Sequence, residues 1–191
     1  MPLIQIAQPA VGPVSVAEVL DAAGMDVAEF NAQATIAINA LREDLEKKTK
    51  LAFITQTKEL VLDSFPKKEI DLDQGNVQNI VFVKYLDPDG VEQTLSNDRY
   101  MLDNVSKPKN WLLPAYGTSW PEIFGTVNSL RIRFIVGYGD TAADVPESIR
   151  QWIIVNAVQM LSNPDGLAQQ TLSPLPIFDR LIDTYIVHQA F

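Results

Sequence analysis

The chain contains no cysteine. That excludes a disulfide framework, a thiolate metal site and a thiol nucleophile. Histidine occurs once, as His188 near the end of the sequence, where fraying is expected. Zinc needs a cluster of Cys and His, and a hydroxyl nucleophile needs a base beside it. Neither set is available. The glycines form no GxGxxG motif, and no GK[ST] occurs for a phosphate loop. No apolar run approaches the roughly 20 residues that cross a bilayer. The opening "MPLIQIAQPA" lacks the basic start and long apolar core of a secretory signal. Positive charge is scarce, with 15 Lys and Arg against 24 Asp and Glu and a formal net charge of -9. Such a surface repels phosphate backbones, which argues against specific nucleic-acid binding as a primary role. The one basic run, Lys47, Lys48 and Lys50, reads as a solvated helix end. These absences lead us to expect a soluble intracellular protein without cofactor, metal or membrane span.

What remains is ample for a core: 191 residues, 47% of them hydrophobic, enough for one domain, 1–191, and too apolar for a disordered chain. Ser15 and Glu18, three residues apart, form a capping box, and Gly24 supplies the stop of a short helix. Asp26 then caps a long helix over 26–50. Phe30, Ala34, Ala37, Ile38, Leu41 and Leu45 recur at helical spacing and mark its buried stripe. Ala32, Ile36 and Ala40 form a second flank. Two readings stand for it: burial within the same fold, or a contact between subunits.

After Lys50 the period changes from 3.6 to 2. "LAFITQTKELVLD", "EIDLD", "NIVFVKYLDPDGVEQTL", "DRYMLD", "NWLLPAYG" and "NSLRIRFIVGYG" read as strands over about 52–137, with Asp87-Pro88-Asp89-Gly90 as a hairpin turn. Helix returns at Pro146, a residue suited to a first turn, and continues to about 190. Ile149, Ile153, Ala157, Met160 and Leu161 lie on its apolar side, and a last amphipathic segment carries Phe178, Leu181, Ile182 and Tyr185. Strands clustered between helices define an α+β class: a helical bundle of about 15–50 and 146–190 with a central antiparallel β insertion. The helix over 26–50 and the helix from Pro146 are expected to pack together across the β block. Between the last helices, "SNPDGLAQQTLSPLP" is expected to be mobile in a free subunit and ordered on assembly.

Candidate sites are few. Asp140, Asp144 and Glu147 lie near one another in sequence and suggest a hard-cation site, against which stands their position at a helix start, where acids complement the dipole. Asp87 and Asp89 lack the remaining ligands of a calcium loop and read as turn residues. Trp111, Tyr116, Trp120 and Tyr138 suggest a ligand platform, or a cover over the core at strand ends. No catalytic, cofactor or metal residue is assigned, and no enzymatic turnover is expected. The oligomer-interface candidates are Ala32, Ile36 and Ala40, opposed by Phe178, Leu181 and Tyr185.

Four stretches carry a family resemblance: "ITQTKELVLDSFP" (54–66), "VKYLDPDGVEQTL" (83–95), "LLPAYGTSWP" (112–121) and "IRFIVGYGDTAADVPESIRQWII" (132–154). In this order and spacing the chain resembles tailed-phage and prophage head–tail connector proteins, over about 15–163. The resemblance implies a ring of identical subunits docked on the portal protein, which extends the DNA channel and receives the next tail or stopper protein. It implies a virion protein at the head–tail junction, present in host cytoplasm during assembly. DNA would pass through without specific binding. The competing reading is a ligand- or carbohydrate-binding β module built on Trp111, Tyr116 and Trp120.

Overall fold

The computed structural model describes residues 2–105, 109–163 and 176–186, with side chains of the last stretch from Arg180 onward. The fold is α+β. The chain divides into two compact units, one of Met1–Ala10 with Lys50–Tyr138 and one of Val11–Thr49 with Gly139–Phe191.

The first unit is built of strands. Strands β1 (Leu3–Ala7), β2 (Gln56–Leu62), β4 (Val77–Leu86), β5 (Glu92–Thr94) and β8 (Leu130–Val136) form an antiparallel sheet in the order β1-β2-β8-β4-β5. Strands β3 (Ile70–Asp71), β6 (Tyr100–Asp103) and β7 (Trp111–Pro114) form a smaller sheet in the order β3-β7-β6. The central strand β8 shows why the pattern was readable. Leu130, Ile132, Phe134 and Val136 are buried while Arg131, Arg133 and Ile135 are half-buried, the alternation that a pleated strand imposes. Ile132 pairs with Leu60 on one side and Val83 on the other, so a single row of branched side chains crosses three strands into the core. The hairpin β4–β5 turns at Asp87, whose carboxylate accepts the N–H groups of Asp89 and Val91 at 3.1 and 2.9 Å.

Two features depart from the sequence reading. Strand β1 was not foreseen; "LIQIA" is short, sits between Pro2 and Pro9, and offers only Leu3 to the core while Ile4 and Ile6 stay exposed. The segment "LAFITQTKELVLD" is also not strand from its start. Phe53 and Ile54 are both buried, and β2 begins only at Gln56.

The second unit is helical: α1 (Val16–Ala23), α2 (Val27–Thr49), α3 (Glu147–Ser162) and α4 (Pro176–Asp183). The capping box is present, with the Ser15 N–H and hydroxyl donating to Glu18 Oε2 at 2.7 and 2.8 Å and the Glu18 N–H donating back at 3.2 Å. Gly24 closes α1 at φ 65°, a conformation glycine adopts without strain. Asp26 caps α2 through the Ala28 N–H at 2.7 Å. Helices α2 and α3 pack directly on one another, as expected of two apolar stripes that need a partner. Ala34, Ala37, Ile38 and Leu45 are buried on α2, and Ile149, Trp152, Ile153 and Ala157 on α3. Arg150 of α3 secures α1: its guanidinium donates to Glu18 and, at 3.3 Å, to the Pro13 carbonyl. The segment 164–175, where mobility was expected, lies outside the described residues, as does His188.

Candidate functional site

The second flank of α2 is the stretch for which the sequence left two readings open. Ala32, Ile36 and Ala40 follow one another at i+4, and all three are exposed. Ile36 is 69% exposed. The flank is therefore not a second buried side of the helical unit. Beside it a groove of about 340 Å³ is lined by Phe30, Gln33, Ile36 and Ala37 from α2 and by Met160 and Leu161 from α3. Residues 30, 33, 36 and 37 share one helix face by their spacing. Sequence reasoning placed Phe30, Met160 and Leu161 in the core stripes. They are in fact half-buried, exposed and half-buried respectively.

Charge makes this face stand out. The helical unit holds 13 acidic and 5 basic residues, a net of -8, and the β unit 11 and 10, a net of -1. Yet residues 30–41 of α2 and 151–163 at the end of α3 include no charged residue. An uncharged strip with an exposed Ile, an exposed Met and small neighbours has the composition of an interface core. This signal was legible in the sequence as two charge-free runs.

The opposing patch is drawn less clearly. Leu181 and Tyr185 are half-buried, and the Ser148 hydroxyl lies 3.3 Å from the Tyr185 hydroxyl. Among the described side chains of α4, Ile182 is buried, at 4% exposure. The side chain of Phe178 lies outside the described residues.

The other candidates are occupied by structural tasks. Asp144 Oδ2 accepts the Thr141 N–H and hydroxyl at 2.9 and 2.8 Å. These bonds, the backbone one foremost, hold its carboxyl below the usual range. Glu147 accepts from Arg150 at 2.9 Å. Among the described residues no three His, Cys, Asp or Glu side chains gather as metal ligands. In the basic run, Lys48 pairs with Asp44 at 2.6 Å and Lys50 with Asp73 at 3.0 Å. No described helix is long and apolar enough to cross a membrane.

Trp120 and Trp111 line two hollows that share Pro66. Trp120 lines a hollow of about 480 Å³ with Phe65, three prolines and Ile123. Trp111 lines a different one of about 310 Å³. One face of the Trp120 ring is taken by Phe65, stacked at 5.0 Å and 11°, and its Nε1 donates to the Lys68 carbonyl at 2.7 Å. Tyr116 stands on the Gly117 turn, 99% exposed.

No protein-family model matches the chain, and no curated protein matches it. Solved structures do share its fold. A chain from the neck of an empty gene transfer agent (GTA) particle, computed with C6 symmetry, superposes with a TM-score of 0.83 at 20% identity, over 100% of this chain and 98% of that one. A chain from the virion of the native particle gives 0.81 at the same identity and coverage. One from the neck of the native particle, computed with C12 symmetry, gives 0.74, again at 20% identity.

Proposed function

We propose that the protein is a structural component of the neck of a phage-like particle: a head–tail connector that forms a ring below the portal, extends the DNA channel and offers the attachment site for the next neck or tail protein. The observation that carries this is end-to-end likeness of fold to neck chains, with a TM-score of 0.83 over all of this chain and nearly all of the neighbour. The motifs at 54–66, 83–95, 112–121 and 132–154 support the same reading from sequence. So does the exposed, uncharged flank of Ala32, Ile36 and Ala40, which we assign to the contact between subunits. A cyclic ring needs a heterologous contact, one patch against a different patch of the next copy; we place Leu181 and Tyr185, with Phe178, on the opposing side. The working location is the virion at the head–tail junction, reached from the host cytoplasm during assembly. No catalysis enters this role, and DNA passes through the ring without specific contacts.

The test is to mix the purified chain with the portal protein of its own particle and image the product by negative-stain electron microscopy. A ring of added density on one face of the portal is the expected result. A portal that stays bare at saturating concentrations refutes the reading. Retention on immobilised oligosaccharides would instead favour the β module with Trp111, Tyr116 and Trp120.

A further inference from the structure

Strand β1 is an edge of the five-stranded sheet, and among the described residues only β2 pairs with it. Its open side is a short ladder of backbone groups. The Val61 N–H donates to the Pro2 carbonyl at 3.1 Å, and antiparallel pairs alternate between bonded and non-bonded. Ile4, opposite Glu59, therefore spends its N–H and carbonyl on β2, while Leu3 and Gln5, opposite Leu60 and Lys58, turn theirs outward. Sheet edges in natural proteins are blunted by charge or by brevity, and the other three edges follow that rule. Strand β5 has three residues, with Glu92 accepting from Lys84 at 2.8 Å. Strand β3 has two residues and includes Asp71, and β6 ends in Asp103. Strand β1 has five residues and no charged side chain. Ile4 and Ile6 stand 44% and 42% exposed along it.

We infer that β1 is a strand-addition site, and that its occupant is an extended, uncharged segment of another protein with branched apolar residues at alternate positions. Outward N–H and carbonyl groups on residues two apart are matched by another extended backbone. A helix spends its own groups internally. Ile4 and Ile6 set the apolar positions of the added strand, because cross-strand pairs of branched side chains stabilise a sheet. Pro2 stands at one end of the ladder. At the other the register shifts between Gln5 and Ala7, and Gln5 Nε2 donates to the Ala7 carbonyl at 2.5 Å. The match is thus confined to Leu3 and Gln5, for about four backbone bonds and about five residues of partner. A second copy of this chain is a poorer occupant. Among its described edges only β1 is uncharged, and two bodies of net charge -9 repel. This site lies in the β unit, and it does not depend on the ring reading.

The probe is an acetylated, amidated peptide of sequence Thr-Val-Thr-Val-Thr-Val-Thr, titrated into the isotope-labelled full chain and followed by NMR. We expect saturable shifts, with hydrogen exchange at the Leu3 and Gln5 amides slowed by about tenfold or more and the Ile4 amide, already bonded to β2, little changed. The same peptide N-methylated at its third and fourth residues, one for each of its edges, binds about tenfold or more weaker. Gln5→Pro removes one outward N–H and no bond to β2, a position at which an edge strand tolerates proline. It weakens binding by about tenfold or more while thermal melts show a folded chain. Should it unfold, Ile4→Lys places a charge on the same edge and reads the same loss. Val91→Lys, at a site 55% exposed beside the β4–β5 turn, leaves binding unchanged. The inference is overturned by a peptide that does not bind saturably up to about 1 mM, or by binding that survives both N-methylation and Gln5→Pro. Shifts without protection of Leu3 and Gln5 overturn it too, since they mean side-chain docking alone. Protection of those two amides that grows with protein concentration in the absence of peptide assigns the edge to a second copy, and overturns it as well. Imaging of the portal mixture bears on the connector reading alone.

Discussion

Gly137 closes β8, and the backbone there leaves no room for a side chain. Its φ is 142°, in the region that L-residues rarely adopt. A Cβ built on it would lie 2.6 Å from the Thr55 nitrogen, 2.7 Å from the Thr55 Cα and 2.8 Å from the Ile54 carbonyl carbon. All three are backbone atoms, so no side chain can swing away. The peptide is also held in place: the Gly137 N–H donates to the Asn76 carbonyl at 3.2 Å, Gln78 Nε2 donates to the Gly137 carbonyl at 3.0 Å, and the Tyr138 N–H reaches the Phe53 carbonyl at 3.2 Å. Gly137→Ala therefore incurs about 1–3 kcal/mol of dihedral strain and a further 1–3 kcal/mol of overpacking. Together that is about 2–6 kcal/mol, against a typical domain stability of 5–15 kcal/mol. Gly125 is the internal control. A Cβ there meets nothing within 4 Å and its φ lies outside the positive range, so Gly125→Ala is expected to change stability by less than about 0.5 kcal/mol. The assay is urea denaturation followed by tryptophan fluorescence. With a slope of about 1–3 kcal/mol per molar urea, Gly137→Ala lowers the midpoint by at least about 0.7 M, and Gly125→Ala leaves it in place. Equal midpoints for the two variants would refute the close-approach argument.

Further outcomes follow from the caps. Hydrogen bonding from the Ser15 N–H, aided by its hydroxyl and by Arg150 against the opposing effect of burial, holds the Glu18 carboxyl below its ordinary value of 4.5. A folded value below the unfolded one means the stabilisation is present at neutral pH and is lost as pH falls through the folded value; thermal melts should drop below pH 4.5, and Glu18→Gln should flatten that drop. Ser15→Ala removes the cap itself and costs about 0.5–2 kcal/mol at neutral pH. Asp144→Ala should lower the thermal midpoint by opening the Thr141 cap, with no change in metal content by plasma mass spectrometry; loss of a stoichiometric metal would return Asp140 and Asp144 to the role of ligands.

The sequence was most informative where a single physical rule governs. Period-2 alternation located β8, a capping box located the start of α1, and turn chemistry located the β4–β5 hairpin. It was least informative where two rules compete. In β2, Glu59, Leu60 and Val61 are all buried, so both faces are covered and alternation stops reporting which side is inward. Glu59 tolerates burial because Arg133, its cross-strand partner, places nitrogens at 2.9 and 2.7 Å from Oε2. The division of the β segment into two sheets was likewise invisible, since strand order depends on partners remote in sequence. At the candidate interface, spacing correctly set Ala32, Ile36 and Ala40 apart from the buried stripe. It misassigned Met160, because helical spacing tells which residues share a face and not how far a neighbouring helix covers that face.

The same charge distribution bears on both halves of the proposed role. Neutralising contacts to phosphate are what create affinity for DNA. A helical unit with 13 acidic residues against 5 basic ones offers few, so a ring of such units would let DNA slide past without holding it. The cost would fall on assembly. In such a ring every neighbour would be equally acidic, and each added copy would increase the repulsion. A protein that must be acidic towards DNA and yet self-associate needs a surface from which charge has been withheld, and α2 and α3 provide one on adjacent helices. Moving the acidic charge onto that face would preserve the net charge and the indifference to DNA while removing the means of assembly. Ile36→Glu adds one carboxylate to the 13 of the helical unit, and is a sharper probe than one added elsewhere on that unit, where the field changes as little and no uncharged face is interrupted.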